Sequence, residues 1–289
     1  SDVCSSDLMV QSGCGLNFGI PIGVVAGILG GVTSIEFGFK GFAGIFIAMI
    51  FAALIAIVFG FFYGILLNRI KGDEMLIATY VGYSFTAFMC IAYLILPYKN
   101  PVSVLSYSGR GLSQQVPVAD YWMKSKVLEN GTRITEGLLN NFLSISILGV
   151  RIPVGMFLIF ALMAFIVWAF FKTKTGTAMT AVGSNPEYAR ASGININRVR
   201  LVSVIFSTVL AAVGIIIYQQ SYGFIQLYQA PLAFTFQTVA ALLIGGASIN
   251  KASIPNVIIG TFLFQGVITL TPTVINGALN IDISEILRM

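Results

Sequence analysis

Residues 42–67 read FAGIFIAMIFAALIAIVFGFFYGILL, an apolar run that contains no charged side chain. The hydrocarbon core of a bilayer is about 30 Å thick, and an α-helix needs about 20 apolar residues to cross it. Lipid offers no water to pair with backbone N–H and C=O groups, so a helix that satisfies its own hydrogen bonds is the expected form. The run therefore predicts a membrane-spanning helix.

Similar apolar runs recur along the chain. The sequence is 57% hydrophobic and only 9% charged, whereas soluble domains carry about 25% charged residues. An ordinary soluble globule is excluded, and we expect an all-α, polytopic transmembrane helical bundle with about seven spanning or partly spanning segments. These segments lie near residues 16–34, 42–67, 75–96, 152–171, 201–219, 231–247 and 254–275.

The first segment carries glycines at a strict spacing of four residues, at Gly19, Gly23, Gly27 and Gly31. Glycines on one helix face allow the backbone of a neighbouring helix to approach closely, which favours helix packing where lipid supplies no hydrophobic drive. The pattern predicts tight packing, and it leaves open whether the helix has any further role.

Basic residues sit at the ends of apolar runs rather than in a cluster, although the net charge is +5. This distribution is typical of membrane topology signals and does not indicate nucleic-acid binding. Three turns, which follow the second and fourth segments and precede the seventh, hold basic residues that the positive-inside rule places in the cytoplasm. We therefore expect residues 172–200 to be cytoplasmic and residues 98–151 to be external, with an interfacial helix within ITEGLLNNFLSISI, residues 134–147.

The first eight residues, SDVCSSDL, do not resemble the rest of the chain. From Asp2 to Leu8 they match one translated frame of a widely used sequencing adaptor, so we interpret residues 1–8 as an assembly artefact. We expect residues 9–289 to form a single transmembrane domain that is truncated at both ends. With Cys4 set aside, Cys14 and Cys90 provide neither a disulfide framework nor a metal site.

A polar stretch, GSNPEYARASGININRVR, occupies residues 183–200 between two apolar segments. Ser184 followed by Glu187 predicts a capping box, Pro186 suits the first turn, and Gly193 suits the helix end. The result is a helix of about two turns, which is too short to be stable alone in water. Asn195 and Asn197 are then expected to interrupt the helical structure before the next span begins. Physical reasoning leaves two interpretations open: a surface helix that joins two spans, or one whose small exposed residues Ala189, Ala191 and Ser192 enter a cleft of another protein.

Several kinds of chemistry are missing from the sequence. The chain has no histidine and no phosphate-binding loop of the form GxxxxGK[ST], so it lacks that route to ATP hydrolysis. The expected spans hold essentially no acidic or basic residue, which argues against a proton-coupled carrier, although sodium coupling through backbone carbonyls stays open. No nucleophile with a base and no ligand cluster suggests an enzyme, a cofactor or a metal.

Uncharged hydrogen-bonding side chains do occur within the expected spans. Amides are costly in lipid unless they face a cavity or another polar group. Together with aromatic rings they suit a neutral solute that is polyhydroxylated or heterocyclic, although each one alone could simply join two helices. The candidate substrate-route residues are Asn17, Tyr80, Tyr83, Gln219, Gln237 and Gln265.

Two separated blocks carry a resemblance to a known family. TKTGTAMTAVGSNPEYARASGININRVR at residues 173–200 resembles the cytoplasmic coupling loop of permease subunits from the ABC transporters that import simple sugars, nucleosides and branched-chain amino acids. AALLIGGASINKASIPNVIIGTFLFQGV at residues 240–267 is similar to that family's glycine-rich penultimate region, and RIKGDEM at residues 69–75 resembles its sugar and nucleoside branch. The resemblance covers about residues 60–275.

The resemblance implies a multi-pass permease of the cell inner membrane that moves a neutral sugar-like or nucleoside-like solute. It also implies three partners: an ABC ATPase subunit, a second permease subunit and an extracytoplasmic substrate-binding protein. A stand-alone, ion-coupled secondary carrier is the alternative function. In the family a short cytoplasmic helix docks into the ATPase, and the residues that match it are Gly183, Ser184, Asn185, Pro186, Glu187, Tyr188, Ala189, Arg190, Gly193, Ile194 and Asn195. The family usually has more than about seven spans, which fits the expected truncation.

Overall fold

Helices dominate the computed structural model, which describes residues 9–10, 18–70, 74–105, 111–127, 133–147, 150–247 and 253–279. In chain order the named helices are α1 Ile20–Glu36, α2 Gly41–Arg69, α3 Glu74–Ile95, α4 Ala119–Trp122, α5 Leu138–Asn141, α6 Val154–Phe171, α7 Lys174–Ser184, α8 Pro186–Ala191, α9 Ile196–Tyr222, α10 Ala230–Ile244 and α11 Ile254–Leu279. The strands are β1 Gln115–Pro117, β2 Met123–Val127, β3 Arg133–Gly137, β4 Ser144–Ile147, β5 Val150–Pro153 and β6 Phe224–Gln226.

Each of the seven apolar segments of the sequence overlaps one helix of at least 15 residues. Five helices in the described ranges, α2, α3, α6, α9 and α11, are long and apolar enough to cross a membrane. The other two, α1 and α10, are apolar but shorter, with 17 and 15 residues. The structure confirms a polytopic helical membrane protein.

The segment between α3 and α6 departs from the expected interfacial helix. Residues 134–147 form most of β3, the four-residue helix α5 and β4. Serine and isoleucine alternate in β4, and this period of two favours a strand over a helix. Strands pair antiparallel as β2 with β3, β4 with β5, and β1 with β6, so the last pair ties this segment to the chain that follows α9.

Helix α1 lies at the centre of the bundle. All of its residues except Thr33 and Glu36 are buried, and it packs against α2, α3, α9 and α10. This burial distinguishes α1 from the longer spans, of which a smaller share is buried within the single chain. The core is therefore organised around α1.

The spaced glycines of α1 confirm the predicted close helix packing. A Cβ atom on Gly23 would lie 2.6 Å from the Cβ of Ala211 and 2.8 Å from the carbonyl oxygen of Thr208 in α9. One turn further along, a Cβ on Gly27 would lie 2.5 Å from the carbonyl oxygen of Ala212. Because contacts advance together along both helices, α1 and α9 run parallel with their backbones in close approach.

The two ends of the bundle carry different connections. At one end the Asn68 side-chain amide donates to the Asn197 carbonyl at 2.8 Å, which places the last turn of α2 beside the first turn of α9. At the other end the Glu36 carboxylate accepts from the amides of Lys99 and Asn100 at 2.9 and 3.0 Å. The end that contains α7 and α8 is called the coupling end below, and the end that contains β1 and β6 the outer end.

We expect Gly27→Leu to disrupt the contact between α1 and α9, because its side chain would overlap the Ala212 carbonyl. Forcing a large side chain into a packed interior destabilises a protein by about 1–3 kcal/mol or more. The measurement is the thermal unfolding midpoint in detergent. Gly266→Leu in α11 is the matched control, since a Cβ built there meets no described atom within 4 Å apart from its chain neighbours and the adjacent backbone of its own helix. Equal midpoints for both variants would contradict the proposed packing role.

Candidate functional site

Helix α8 is a short helix at the coupling end of the bundle, held between α7 and α9. Its N-cap is Asn185, whose side-chain oxygen accepts a hydrogen bond from the amide of Tyr188 at 3.0 Å. Pro186 occupies the first turn, where its missing N–H leaves no partner unsatisfied, as predicted. A side-chain acceptor at the N-cap satisfies one of the orphan amides of the helix start.

The capping box predicted from Ser184 and Glu187 is wrong. Ser184 is the last residue of α7, and its hydroxyl donates to the carbonyl of Ala181 at 3.0 Å. Residues 174–184 are helical because Thr173 caps α7 through the amide of Gly176, at 3.2 Å. Asn185 outcompetes Ser184 because it directly precedes the proline, a residue that belongs at the first helical position.

The end of α8 follows the prediction for Gly193. This residue has a positive φ of 78°, and its amide donates to the carbonyl of Arg190 at 3.0 Å. Asn195 then caps α9 by accepting from the amide of Arg198 at 3.1 Å. The span therefore starts at Ile196, earlier than the expected residue 201, and Asn197 lies inside it. A single residue, Ile194, separates the end of the α8 turn from the cap of α9.

One face of α8 packs on the bundle and the other faces solvent. Ala189 is fully buried and clusters with Met179, Val182 and Val199, so its predicted exposure is wrong. It is buried because the small methyl group allows α8 to sit flat on α7 and α9. The opposite face presents Tyr188, which is 69% exposed, beside an Arg190–Glu187 pair at 3.8 Å. Of the other matched residues, Gly183 and Ile194 are partly buried, while Ser184, Asn185, Pro186, Gly193 and Asn195 are exposed.

The candidate substrate-route residues fall into two groups in the structure. Tyr80 and Tyr83 of α3, Gln237 of α10 and Gln265 of α11 are exposed on the outside of the single chain. Tyr83 lies against Phe236, with ring centroids 6.3 Å apart, which brings α3 and α10 together. Asn17 lies outside the described residues.

Gln219 in α9 forms the second group. It is only 2% exposed, and neither atom of its side-chain amide has a hydrogen-bond partner within the described part of the chain. Leaving a buried polar group unpaired costs about 1–3 kcal/mol. Its neighbour Gln220 is satisfied: the side-chain oxygen accepts from the amide of Leu139 at 3.3 Å, and the amide group donates to Asn140. The structure therefore separates Gln219 from the exposed candidates.

A glycine contact between α10 and α11 was missed from the sequence. The α10 helix ends at the Gly245-Gly246 pair, and Gly246 has a positive φ of 84°. The side chain of Asn256 donates to the Gly245 carbonyl at 2.9 Å. A Cβ on Gly245 would overlap the Asn256 carbonyl, and one on Gly260 would overlap the Ala241 carbonyl. The Gly245-Gly246 pair indicates from the sequence that the helix ends there. Its packing partners Asn256 and Gly260 can be identified only in the folded structure.

A model of a known protein family matches nearly the whole chain. Residues 4–288 match the family model described as "Branched-chain amino acid transport system / permease component". The autoinducer 2 import system permease protein LsrC of Enterobacter sp. (strain 638) is 28% identical over 205 residues, which cover 70% of this chain and 55% of the relative. The ribose import permease protein RbsC of Haemophilus influenzae is 28% identical over 174 residues, which cover 56% of this chain and 50% of the relative.

The probable ABC transporter permease protein YphD of Escherichia coli (strain K12) is 33% identical over 119 residues, 41% of this chain and 35% of the relative. The chain thus spans about half the length of the LsrC and RbsC relatives that it matches. No solved structure matches it. The family match confirms the resemblance of residues 60–275, and the apolar helices agree with a multi-pass protein of the inner membrane. The chain belongs to the family of permease components of branched-chain amino acid transport systems.

Proposed function

We propose that this chain is the membrane-spanning subunit of a bacterial ABC importer for a neutral sugar-like or nucleoside-like solute. The observation that carries the proposal is α8, a capped helix that stands exposed at the coupling end of an apolar bundle. The family to which the chain belongs supports the same function. Two relatives of the chain are named as import permeases for autoinducer 2 and for ribose.

The exposed face of α8 suits insertion into a groove of an ATPase subunit. Tyr188 supplies an apolar ring with a polar tip, and Arg190 and Glu187 supply charges of both signs. That ion pair is exposed and contributes little to the stability of the free helix, so both side chains can form new contacts. The buried Ala189 fixes the helix to α7 and α9 and keeps this face turned outward.

A displacement of α8 would be transmitted to the membrane-spanning helices through α9. Ile194 is the only residue between the Gly193 turn and the Asn195 cap, so the link is too short to absorb a large displacement. Closure of an ATPase dimer would therefore shift α9 against α1 and α2, with which it shares close backbone contacts. Such a shift between two packed states would switch the route between outward and inward access.

A second permease subunit would cover the exposed polar groups within the spans. Gln237, Gln265, Tyr80 and Tyr83 lie on outer faces of the single chain. An amide that faces lipid is costly, whereas one that faces a hydrated cavity is satisfied. We therefore place the substrate route beside these faces, between two permease subunits, and an extracytoplasmic binding protein would deliver the solute at the outer end.

The source of energy distinguishes an ABC importer from the alternative ion-coupled carrier. In cells that express the complete transport system, we expect solute uptake to stop when ATP is depleted. Uptake should persist when an ionophore collapses the ion gradients while ATP is maintained. Loss of uptake on collapse of the gradient alone would favour the secondary carrier.

Removing the N-cap of α8 should weaken the ATPase complex. Asn185→Ala deletes the bond to the Tyr188 amide, and loss of such a cap costs about 1 kcal/mol, or roughly a fivefold change in an equilibrium. We expect faster hydrogen exchange in residues 186–191 and correspondingly less ATPase co-purified with the permease. Ser184→Ala is the matched control, because that hydroxyl bonds only to Ala181 among the described contacts and belongs to α7. Equal acceleration of hydrogen exchange in residues 186–191 by the two variants would contradict the assigned cap.

The substrate route is tested by Gln237→Leu and Gln265→Leu. These changes remove amides that we expect to contact the solute, so uptake should fall while membrane insertion and ATPase binding stay normal. Thr261→Val is the control in α11, since its hydroxyl already bonds to the Val257 carbonyl at 2.7 Å. Unchanged uptake in the double glutamine variant would remove both residues from the route.

A further inference from the structure

An open groove of about 780 Å³ lies at the coupling end, apart from α8 and from the candidate substrate route. Its long wall is the last part of α6, from Ala164 to Phe171. The groove is also lined by Lys172 and Thr177, and by Ser253, Ile254 and Pro255 at the start of α11. The groove thus follows the exposed last turns of a helix that is long and apolar enough to span a membrane, and it reaches the first residues beyond that helix.

The wall of the groove is apolar and aromatic. Phe165 is 60% exposed and Trp168 is 50% exposed, and their rings stack with centroids 5.8 Å apart. Both residues belong to the last turns of a helix that is long and apolar enough to span the membrane. Tryptophan favours the interface between hydrocarbon and headgroups, so this wall lies where an acyl chain meets its headgroup.

The boundary end of the groove is basic. The Lys172 ammonium lies 5.6 Å from the ring centroid of Trp168, so its side chain is turned toward the groove. Among the residues that the structure describes, none of those lining the groove carries a carboxylate. The α11 helix also begins here, and the N-terminus of a helix presents a partial positive charge. The groove therefore joins one cationic end to one apolar wall.

We propose that this groove binds an anionic phospholipid of the leaflet at the coupling end. The phosphate lies between Lys172 and Ser253 at the start of α11, and an acyl chain follows the surface of Phe165 and Trp168. The choice of a lipid rests on charge and shape together. A single anionic head on an apolar chain matches a groove that is positive at the membrane boundary and apolar toward the bilayer.

The first test compares Lys172→Gln with Lys174→Gln. Both lysines are exposed at the same end of the bundle, but only Lys172 lines the groove. Each full-length variant is reconstituted in vesicles of phosphatidylcholine with or without phosphatidylglycerol, extracted in detergent, and examined by native mass spectrometry for retained phosphatidylglycerol. We expect Lys172→Gln to weaken retention about fivefold, the contribution of one basic residue near an anionic surface.

The Lys174→Gln control distinguishes a specific lipid site from general electrostatic attraction of anionic lipid to the basic end of the bundle. Lys174→Gln should retain phosphatidylglycerol as the unchanged protein does, and phosphatidylcholine should not replace it. Equal losses in the two variants, or no loss in either, would overturn the proposal. The readout involves neither transport nor the ATPase, so its outcome is independent of the proposed import function.

A second variant tests the apolar wall and the competing occupant. Ala164→Trp fills the groove without removing Lys172, and it should also reduce the retained phosphatidylglycerol. Phe165→Cys, in a chain whose native cysteines are replaced, tests whether a second copy covers the same wall. Efficient disulfide-linked dimers through this cysteine in the membrane would show a protein contact there and would overturn the lipid assignment.

Discussion

The close backbone contact between α1 and α9 is the interaction on which the rest of the structure depends. Lipid is as apolar as the side chains, so helices in a membrane associate through packing rather than through exclusion of water. Gly23 and Gly27 remove the side chains that would hold the two helices apart. The other face of α1 meets α2, where Gly30 abuts Ala52. A short, largely apolar helix thereby becomes the centre around which the longer spans assemble.

Helix α9 extends this contact to both ends of the bundle. At the coupling end, Asn195 caps it directly after α8 and the Gly193 turn. At the outer end, Gln220 bonds to the backbone of Leu139, and strand β6 pairs with β1. Tyr98 adds a hydrogen bond to Thr33 of α1 at 2.9 Å, and burial raises the pKa of its hydroxyl. One helix therefore connects the proposed docking helix to the outer segment.

The sequence was sufficient to predict the features set by composition and local chemistry. Apolar runs located the seven main helices, and glycine spacing predicted the packing of α1. Gly193 ended α8 as expected because a positive φ favours glycine. The sequence was insufficient where neighbouring residues compete for the same structural position, or where residues distant in the chain come into contact. Ser184 and Asn185 are both good caps, and only the continuation of α7 to Ser184 decides between them. The outer strands depend on pairing partners, and the contact of Gly245 with Asn256 depends on the fold of α10 and α11.

The contact between Gly245 and Gly260 also bears on how this chain can vary and move. Neither position has space for a single added carbon, so both sites tolerate only glycine without a shift of the backbone. Two helices that touch in this way cannot slide past each other without separating first, and the Asn256 bond to Gly245 opposes that separation. The α10–α11 hairpin is thus a stiff unit, and any rearrangement of the bundle would carry it as one piece.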